Sequence, residues 1–228
     1  MKKYELFLFD ADGTLYDYDM AEANALKSMF EQCGFAYDDQ TRMRYRAINQ
    51  AVWDRFEKGE LSKEILQVLR FERLFAEVGV EYDAKAFNEK YLFELGKGAF
   101  LMEGALEICQ EIAAACKQIF IVTNGILATQ EARIKHSLIK DYISASFVSE
   151  HIGFQKPDMR YFEHVFANIP QINKEKILLV GDSLSADIAG GNQAGLDTCW
   201  FNESRAENQT NIKPTYEINS LKELRQFI

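Results

Sequence analysis

In the stretch LFLFDADGTLYDYD, Leu6 to Asp19, four apolar residues run directly into four aspartates. An apolar run of that length reads as a buried strand, so the acids that follow project from its end. Asp10 and Asp12, two apart in an extended segment, point to one side. Gly13 then permits a tight turn that exposes backbone N–H groups. Two other apolar runs end in the same manner. Ile119–Val122 precedes Thr123-Asn124, and Ile177–Val180 precedes Gly181-Asp182. Turn chemistry explains a single aspartate at a strand end. Carboxylates and hydroxyls gathered at one edge from three strands call for another account. Close carboxylates repel one another unless a cation sits among them. An oxygen-only donor set without histidine points to Mg²⁺.

The elements that must position these groups follow from the periodicity. Ser146–Val148, Thr198–Phe201 and Thr215–Ile218 are weaker strand candidates. Helical spacing recurs at Ala105, Ile108, Cys109 and Ile112, and at Phe162, Val165, Phe166 and Ile169 behind Pro157, which can open a helix. Ser220-x-x-Glu223 reads as a capping box. This alternation predicts an α/β fold, a doubly wound, mostly parallel, Rossmann-like sheet. The link from Asp10 to Ile119 is far longer than the dozen or so residues a crossover needs, and the excess reads as helix. Asp19, Asp39, Ser62 and Asp83 stand as starts, and Gly34, Gly59, Gly79 and Gly96 as stops. The expected organisation is a catalytic core of residues 1–15 and 98–228 with a four-helix cap of residues 16–97 inserted. Asp19 is then a helix cap, and Asp17 lies in the turn toward the insertion.

Composition narrows the function. The 228 residues carry a net charge of −9, which repels nucleic-acid polymers, and 47% are hydrophobic, ordinary for a globular protein. No run reaches the roughly 18 apolar residues of a membrane span. The short apolar N-terminal run, broken at Asp10, predicts no signal peptide and a cytoplasmic protein. Four cysteines without paired spacing (Cys33, Cys109, Cys116, Cys199) read as buried free thiols, and three histidines argue against a histidine metal site.

With these residues in place, Asp10-Ala11-Asp12-Gly13-Thr14-Leu15 resembles the first motif of the haloacid dehalogenase superfamily, DxDGTL. Thr123-Asn124-Gly125 resembles its second motif, Lys156 in Gly153-Phe154-Gln155-Lys156-Pro157 its third, and Gly181-Asp182-Ser183 through Asp187 its fourth, GDxxxxD. The resemblance covers the whole chain. It implies Asp10 as nucleophile and Asp12 as general acid/base, with Thr123 holding a phosphate oxygen, Asn124 binding substrate and Lys156 neutralising charge. Mg²⁺ would be held by Asp10, the backbone carbonyl of Asp12 and Asp182. Asp187 and Ser183 would stand behind these ligands. The dehalogenases resemble this pattern but lack the second aspartate, because a departing halide needs no proton and a departing alkoxide does. A non-catalytic phosphate-binding regulatory module would be expected to have lost Asp10 or Asp12.

The remaining stretches, Tyr16-Asp17-Tyr18-Asp19, Tyr45-Arg46-Ala47-Ile48-Asn49 with Trp53, and Cys199-Trp200-Phe201-Asn202, resemble the pyrimidine-type 5′-nucleotidases. That implies a Mg²⁺-dependent phosphatase, a hydrolase of small phosphorylated substrates with nucleoside monophosphates foremost, acting as monomer or homodimer. Phosphosugar or phosphoglycolate phosphatases and phosphomutases share the four motifs. Tyr45, Asn49 and Trp53 lie four apart on one helix face, where they could stack and bond a base or pack the cap. Tyr16 and Tyr18 could line the pocket mouth.

Overall fold

The computed structural model describes residues 2–228. Its sheet has six strands: β1 (Leu6–Phe9), β2 (Gln118–Thr123), β3 (Ile143–Val148), β4 (Ile177–Gly181), β5 (Asp197–Phe201) and β6 (Tyr216–Ile218). They run in the order β3-β2-β1-β4-β5-β6, and each neighbouring pair is parallel. The doubly wound parallel sheet expected from the sequence is therefore present. Along β1, Phe7 and Phe9 enter one core cluster with Ile119, Ile121, Leu178 and Val180. Leu6 and Leu8 enter the other with Phe120, Val122, Ile177 and Leu179. A strand of period two buried on both faces must be apolar at every position, which is why these runs are legible. Strand β3 is an edge strand, and its exposed Ser144, Ala145 and Ser146 hid its first half from the hydrophobic pattern.

Between strands lie α5 (Ala105–Ala114), α6 (Leu127–His136), α7 (Ser149–Ile152), α8 (Met159–Ala167) and α9 (Ala189–Gln193). Helix α8 is capped by Asp158, whose carboxylate accepts the Arg160 N–H at 2.9 Å, so Pro157 lies before the cap. The capping box at Ser220 is present, but it opens a 3₁₀ helix, Leu221–Phe227. Cys109 and Cys199 are buried free thiols; against the expectation that all four are buried, Cys33 is only half-buried and Cys116 is exposed just past α5.

The chain divides into two compact units, residues 1–18 with 99–228, and residues 19–98. Residues 16–18 fall with the sheet rather than with the insertion, and residue 98 with the insertion rather than with the sheet. The Asp17 N–H donates to the Phe100 carbonyl at 3.0 Å, and the Met102 N–H to the Leu15 carbonyl at 3.0 Å. The helical unit holds α1 (Tyr18–Cys33), α2 (Asp39–Glu57), α3 (Lys63–Val78) and α4 (Ala84–Gly96). Asp38, not Asp39, caps α2, accepting the Thr41 N–H at 2.7 Å. Ser62 and Asp83 cap α3 and α4. Asp19 is not a cap: it lies in the first turn of α1, where an acid suits the positive helix end, and pairs with Arg46 at 2.6 Å. Among the described residues no helix is long and apolar enough to cross a membrane.

Candidate active site

Strand order changes direction at β1: the chain winds outward through β2 and β3, then returns to place β4 on the other side of β1. The carboxyl ends of β1 and β4 flank the crevice that such a switch point creates. Asp10 follows β1, Asp182 follows β4, and Asp187 comes from the π-helical turn Leu184–Ile188. One carboxylate oxygen from each lies within 4.8 Å of the others.

Lys156 reaches into this group from the loop after α7. Its Nζ donates to Asp10 Oδ1, Asp187 Oδ1 and the Val122 carbonyl, each at 2.6 Å. The ammonium is 1% exposed. Burial pulls its proton affinity down, but the charges of Asp10 and Asp187 outweigh this and hold it above its ordinary value. Asp187 spends its other oxygen on the Ser183 N–H at 3.1 Å, so it orients Lys156 and the loop. Ser183 Oγ in turn accepts the Ala186 N–H.

One lysine does not neutralise three acids. Burial, then the charge of Asp187, lifts the Asp10 carboxyl to about 7 against the opposing pull of Lys156. The Asp182 carboxyl is raised by desolvation and by the charges of Asp10 and Asp187. Because the Asp182 residue as a whole is exposed, we assign its shift chiefly to those neighbouring charges. A cluster of oxygens with surplus negative charge and no nitrogen or sulfur donor fits a hard divalent cation such as Mg²⁺, whose charge would reverse these shifts. Thr14 Oγ1 donates to Asp182 Oδ1 at 3.1 Å, and the Trp200 indole N–H donates to the Asp182 carbonyl at 2.8 Å. Gly13 has φ +82°, and a Cβ there would stand 2.6 Å from Asp182 Oδ2, so only glycine lets the β1 loop pass the Asp182 carboxylate.

Thr123 is buried at the end of β2, its Oγ1 accepting the Gly125 N–H at 3.0 Å. Asn124, expected to face the substrate, instead clasps the backbone of Lys156: its Nδ2 donates to the Lys156 carbonyl and its Oδ1 accepts the Lys156 N–H, both at 2.9 Å. An amide so engaged fixes the lysine loop to the β2 end. Asp12 turns toward α6. Its Oδ1 meets Arg133 Nη1, and its Oδ2 accepts from Gln130 Nε2 at 2.5 Å.

Tyr16 does not stand at a mouth. Its ring is fully buried in the core of the sheet unit, with the Arg133 guanidinium 5.5 Å above it. Tyr45 and Asn49 are equally committed inside the helical unit. The Tyr45 ring stacks on Phe71 at 5.3 Å, and Asn49 donates to Glu22 at 2.9 Å and accepts from Arg70 at 3.2 Å. Trp53 alone of that face keeps part of its surface, standing edge-on to Phe56. A face shared at four-residue spacing is here the inward face of α2, which takes aromatics and a satisfied amide into the unit's interior. Gln130, Arg133, Thr14 and Trp200 were not singled out as site residues by the sequence. The signal for the first two, polar residues three apart on the helix after the second motif, is indistinguishable from a solvated face until burial is known.

Residues 4–195 match the family of haloacid dehalogenase-like hydrolases, and the chain belongs to that family. Over 224 residues it is 41% identical to YfnB of Bacillus subtilis (strain 168), a HAD-hydrolase by name, covering 98% of this chain and 95% of that protein. A crystal structure of YfnB bound to magnesium covers 99% of this chain and 98% of its own with a TM-score of 0.93. The pyrimidine 5′-nucleotidase PynA of Streptococcus pneumoniae (strain ATCC BAA-255 / R6) is 38% identical, covering 97% of this chain and 93% of its own. The pyrimidine 5′-nucleotidase YjjG of Escherichia coli (strain K12) is 30% identical, covering 99% and 98%.

Proposed function

We propose that this chain is a Mg²⁺-dependent phosphomonoester hydrolase that works through an aspartyl-phosphate on Asp10, with nucleoside 5′-monophosphates as its substrates. The observation that carries the chemistry is the Lys156 ammonium bonded to Asp10 and Asp187 at 2.6 Å beside a third acid, Asp182. A nucleophilic carboxylate held against a buried cation is oriented and ready to receive a phosphoryl group. The nucleotide preference rests on the relatives PynA and YjjG, both pyrimidine 5′-nucleotidases by name.

In this reading the Asp10 carboxylate and the Asp182 carboxylate, with the Asp12 carbonyl, would hold the cation, which would neutralise charge on nucleophile and phosphate. An Asp10 oxygen attacks phosphorus, and the ester oxygen leaves with a proton from Asp12. Asp12, now anionic, takes a proton from water, which attacks the same phosphorus and frees Asp10 and inorganic phosphate. Thr123 holds a phosphate oxygen. Lys156 offsets the charge that gathers on the transferring group. Asn124 acts through Lys156, by fixing its backbone.

The test is phosphate release from pyrimidine and purine nucleoside monophosphates, phosphosugars and phosphoglycolate, each with and without Mg²⁺. Nucleotides should be the best substrates. A phosphosugar or phosphoglycolate turned over more efficiently than every nucleotide would displace the substrate assignment and leave the chemistry standing.

A further inference from the structure

Arg133 is fully buried, yet its Nε and Nη2 meet no hydrogen-bond partner among the described residues, and neither does Oε1 of Gln130, 1% exposed. Buried donors and acceptors left unmade are destabilising, and native interiors rarely keep them. An arginine placed only for stability would be better served by an apolar side chain of similar volume. The contact both side chains do make is with one group, Asp12. Gln130 and Arg133 lie three apart on α6 and so share a helix face. From it, Arg133 takes Oδ1 and Gln130 takes Oδ2. Two donors on two oxygens fix the plane of a carboxylate as well as its place. The surroundings are built to hold the donors in turn. The Arg133 guanidinium lies over the Tyr16 ring, and a Cβ on Gly125 would stand 2.3 Å from Gln130 Nε2, so the glycine of the second motif clears the path of the amide.

We propose that Arg133 and Gln130 are the positioning residues of the acid/base Asp12, and that they govern how fast a phosphate ester with a poor leaving group is cleaved. This rests on the phosphatase reading above. Neither side chain touches the phosphate in this account; each acts by aiming the carboxylate at the ester oxygen and then at the attacking water.

The experiment follows first-turnover release of the leaving group and steady-state turnover, in Mg²⁺, for a nucleoside monophosphate and for p-nitrophenyl phosphate. The proteins compared are the wild type, Arg133→Met, Arg133→Lys and Gln130→Met. A misplacement of about 1 Å is worth roughly 100-fold. Arg133→Met should therefore lower kcat on the nucleotide roughly 10- to 100-fold with KM nearly unchanged. First-turnover nitrophenol, whose phenolate leaves without a proton, should fall by less than about threefold. Arg133→Lys keeps the charge but offers a point donor in place of a fork, so it should recover part of the loss. Gln130→Met should show the same selectivity at smaller size, about 3- to 10-fold. Equal losses on both esters, or a lowered melting temperature with leaving-group dependence unchanged, overturn the proposal. If Arg133→Met does not fold, Gln130→Met decides, because it leaves no bare charge behind: unchanged nucleotide turnover overturns the proposal, and a selective loss supports it. A wild type that releases phosphate from neither ester overturns the phosphatase reading and this inference with it.

Discussion

Removing the cation should make folding stability fall as pH rises, in a window set by Asp10. Its carboxyl, 3.8 in ordinary surroundings, is lifted to about 7 by burial, partly offset by Lys156. Between these values the folded chain keeps a proton that the unfolded chain has released. The stability tied to that proton is fully present below pH 3.8, is lost progressively above it, and is gone once pH passes 7. One group moving from 3.8 to about 7 is worth up to about 4 kcal/mol at 1.36 kcal/mol per pH unit. Asp182 is raised too and acts with the same sign. At about 2–4 °C per kcal/mol for a chain of this size, the melting temperature in chelator should drop by several degrees between pH 5 and pH 8. Saturating Mg²⁺ should restore more at pH 8 than at pH 5, since the dication favours the ionised cluster. Asp10→Asn should remove most of the slope. Differential scanning calorimetry across that range, with chelator and with Mg²⁺, reads all three. A metal-free melting temperature that is flat or rises with pH, or an Asp10→Asn variant that keeps the full slope, would refute the argument that surplus negative charge defines this site.

Other outcomes follow from the same geometry. Activity should depend on Mg²⁺, with Ca²⁺ a poor substitute because its looser coordination misplaces nucleophile and phosphate; full turnover after exhaustive chelation would remove the metal from the scheme. Asp182→Ala should weaken Mg²⁺ affinity, read by calorimetric titration, and lower the rate. Trp53→Ala separates two roles: a ring stacked on a base is worth about 1–3 kcal/mol, so KM for nucleotides alone should rise roughly 5- to 150-fold. If p-nitrophenyl phosphate suffers equally, the ring only packs the helical unit.

The fold was legible because the physics that builds it is local. Strands β1 and β4, and β2 from Ile119 to Val122, are apolar along their buried length, as two covered faces require, and the helical unit carries side-chain caps at Ser62 and Asp83 with glycine just past α3. What misled was always a matter of partners. Asp19 has the type and place of a cap, yet it lies inside α1 and pairs with Arg46 of α2. Asn124 follows the strand-end threonine and reads as a ligand to substrate, yet its amide is consumed by the Lys156 backbone. Tyr45 and Asn49 share a face, but spacing does not tell whether that face looks inward. Arg133 was hidden for the opposite reason: an arginine on a short helix is ordinarily solvated, and only burial against Tyr16 marks it as different.

The two acids that open the chain's first loop should accordingly fail in different ways. On the proposed mechanism Asp10→Asn would remove nucleophile and metal ligand together, so no phosphoenzyme should form and activity should be abolished. Asp12→Asn leaves the backbone carbonyl in place and removes proton transfer, worth about 10²–10⁴-fold. The amide fits the existing cradle: its oxygen faces Arg133, and its NH₂ meets Gln130, which can turn its unpartnered Oε1 to accept. Loss of activity there reports chemistry more than collapse, although the Arg133 charge, now uncompensated, should lower the melting temperature. Nucleoside monophosphates expel a poor alkoxide and need the acid; p-nitrophenyl phosphate expels a stable phenolate and hardly does. With that ester the first step should survive while dephosphorylation, which needs Asp12 as base, lags. The expected trace is a burst of nitrophenol near one equivalent of enzyme, with phosphate trapped on Asp10 and visible by rapid-quench mass spectrometry. Equal losses on both esters with no trapped phosphoenzyme would mean that Asp12 holds the loop and Arg133 together and moves no proton.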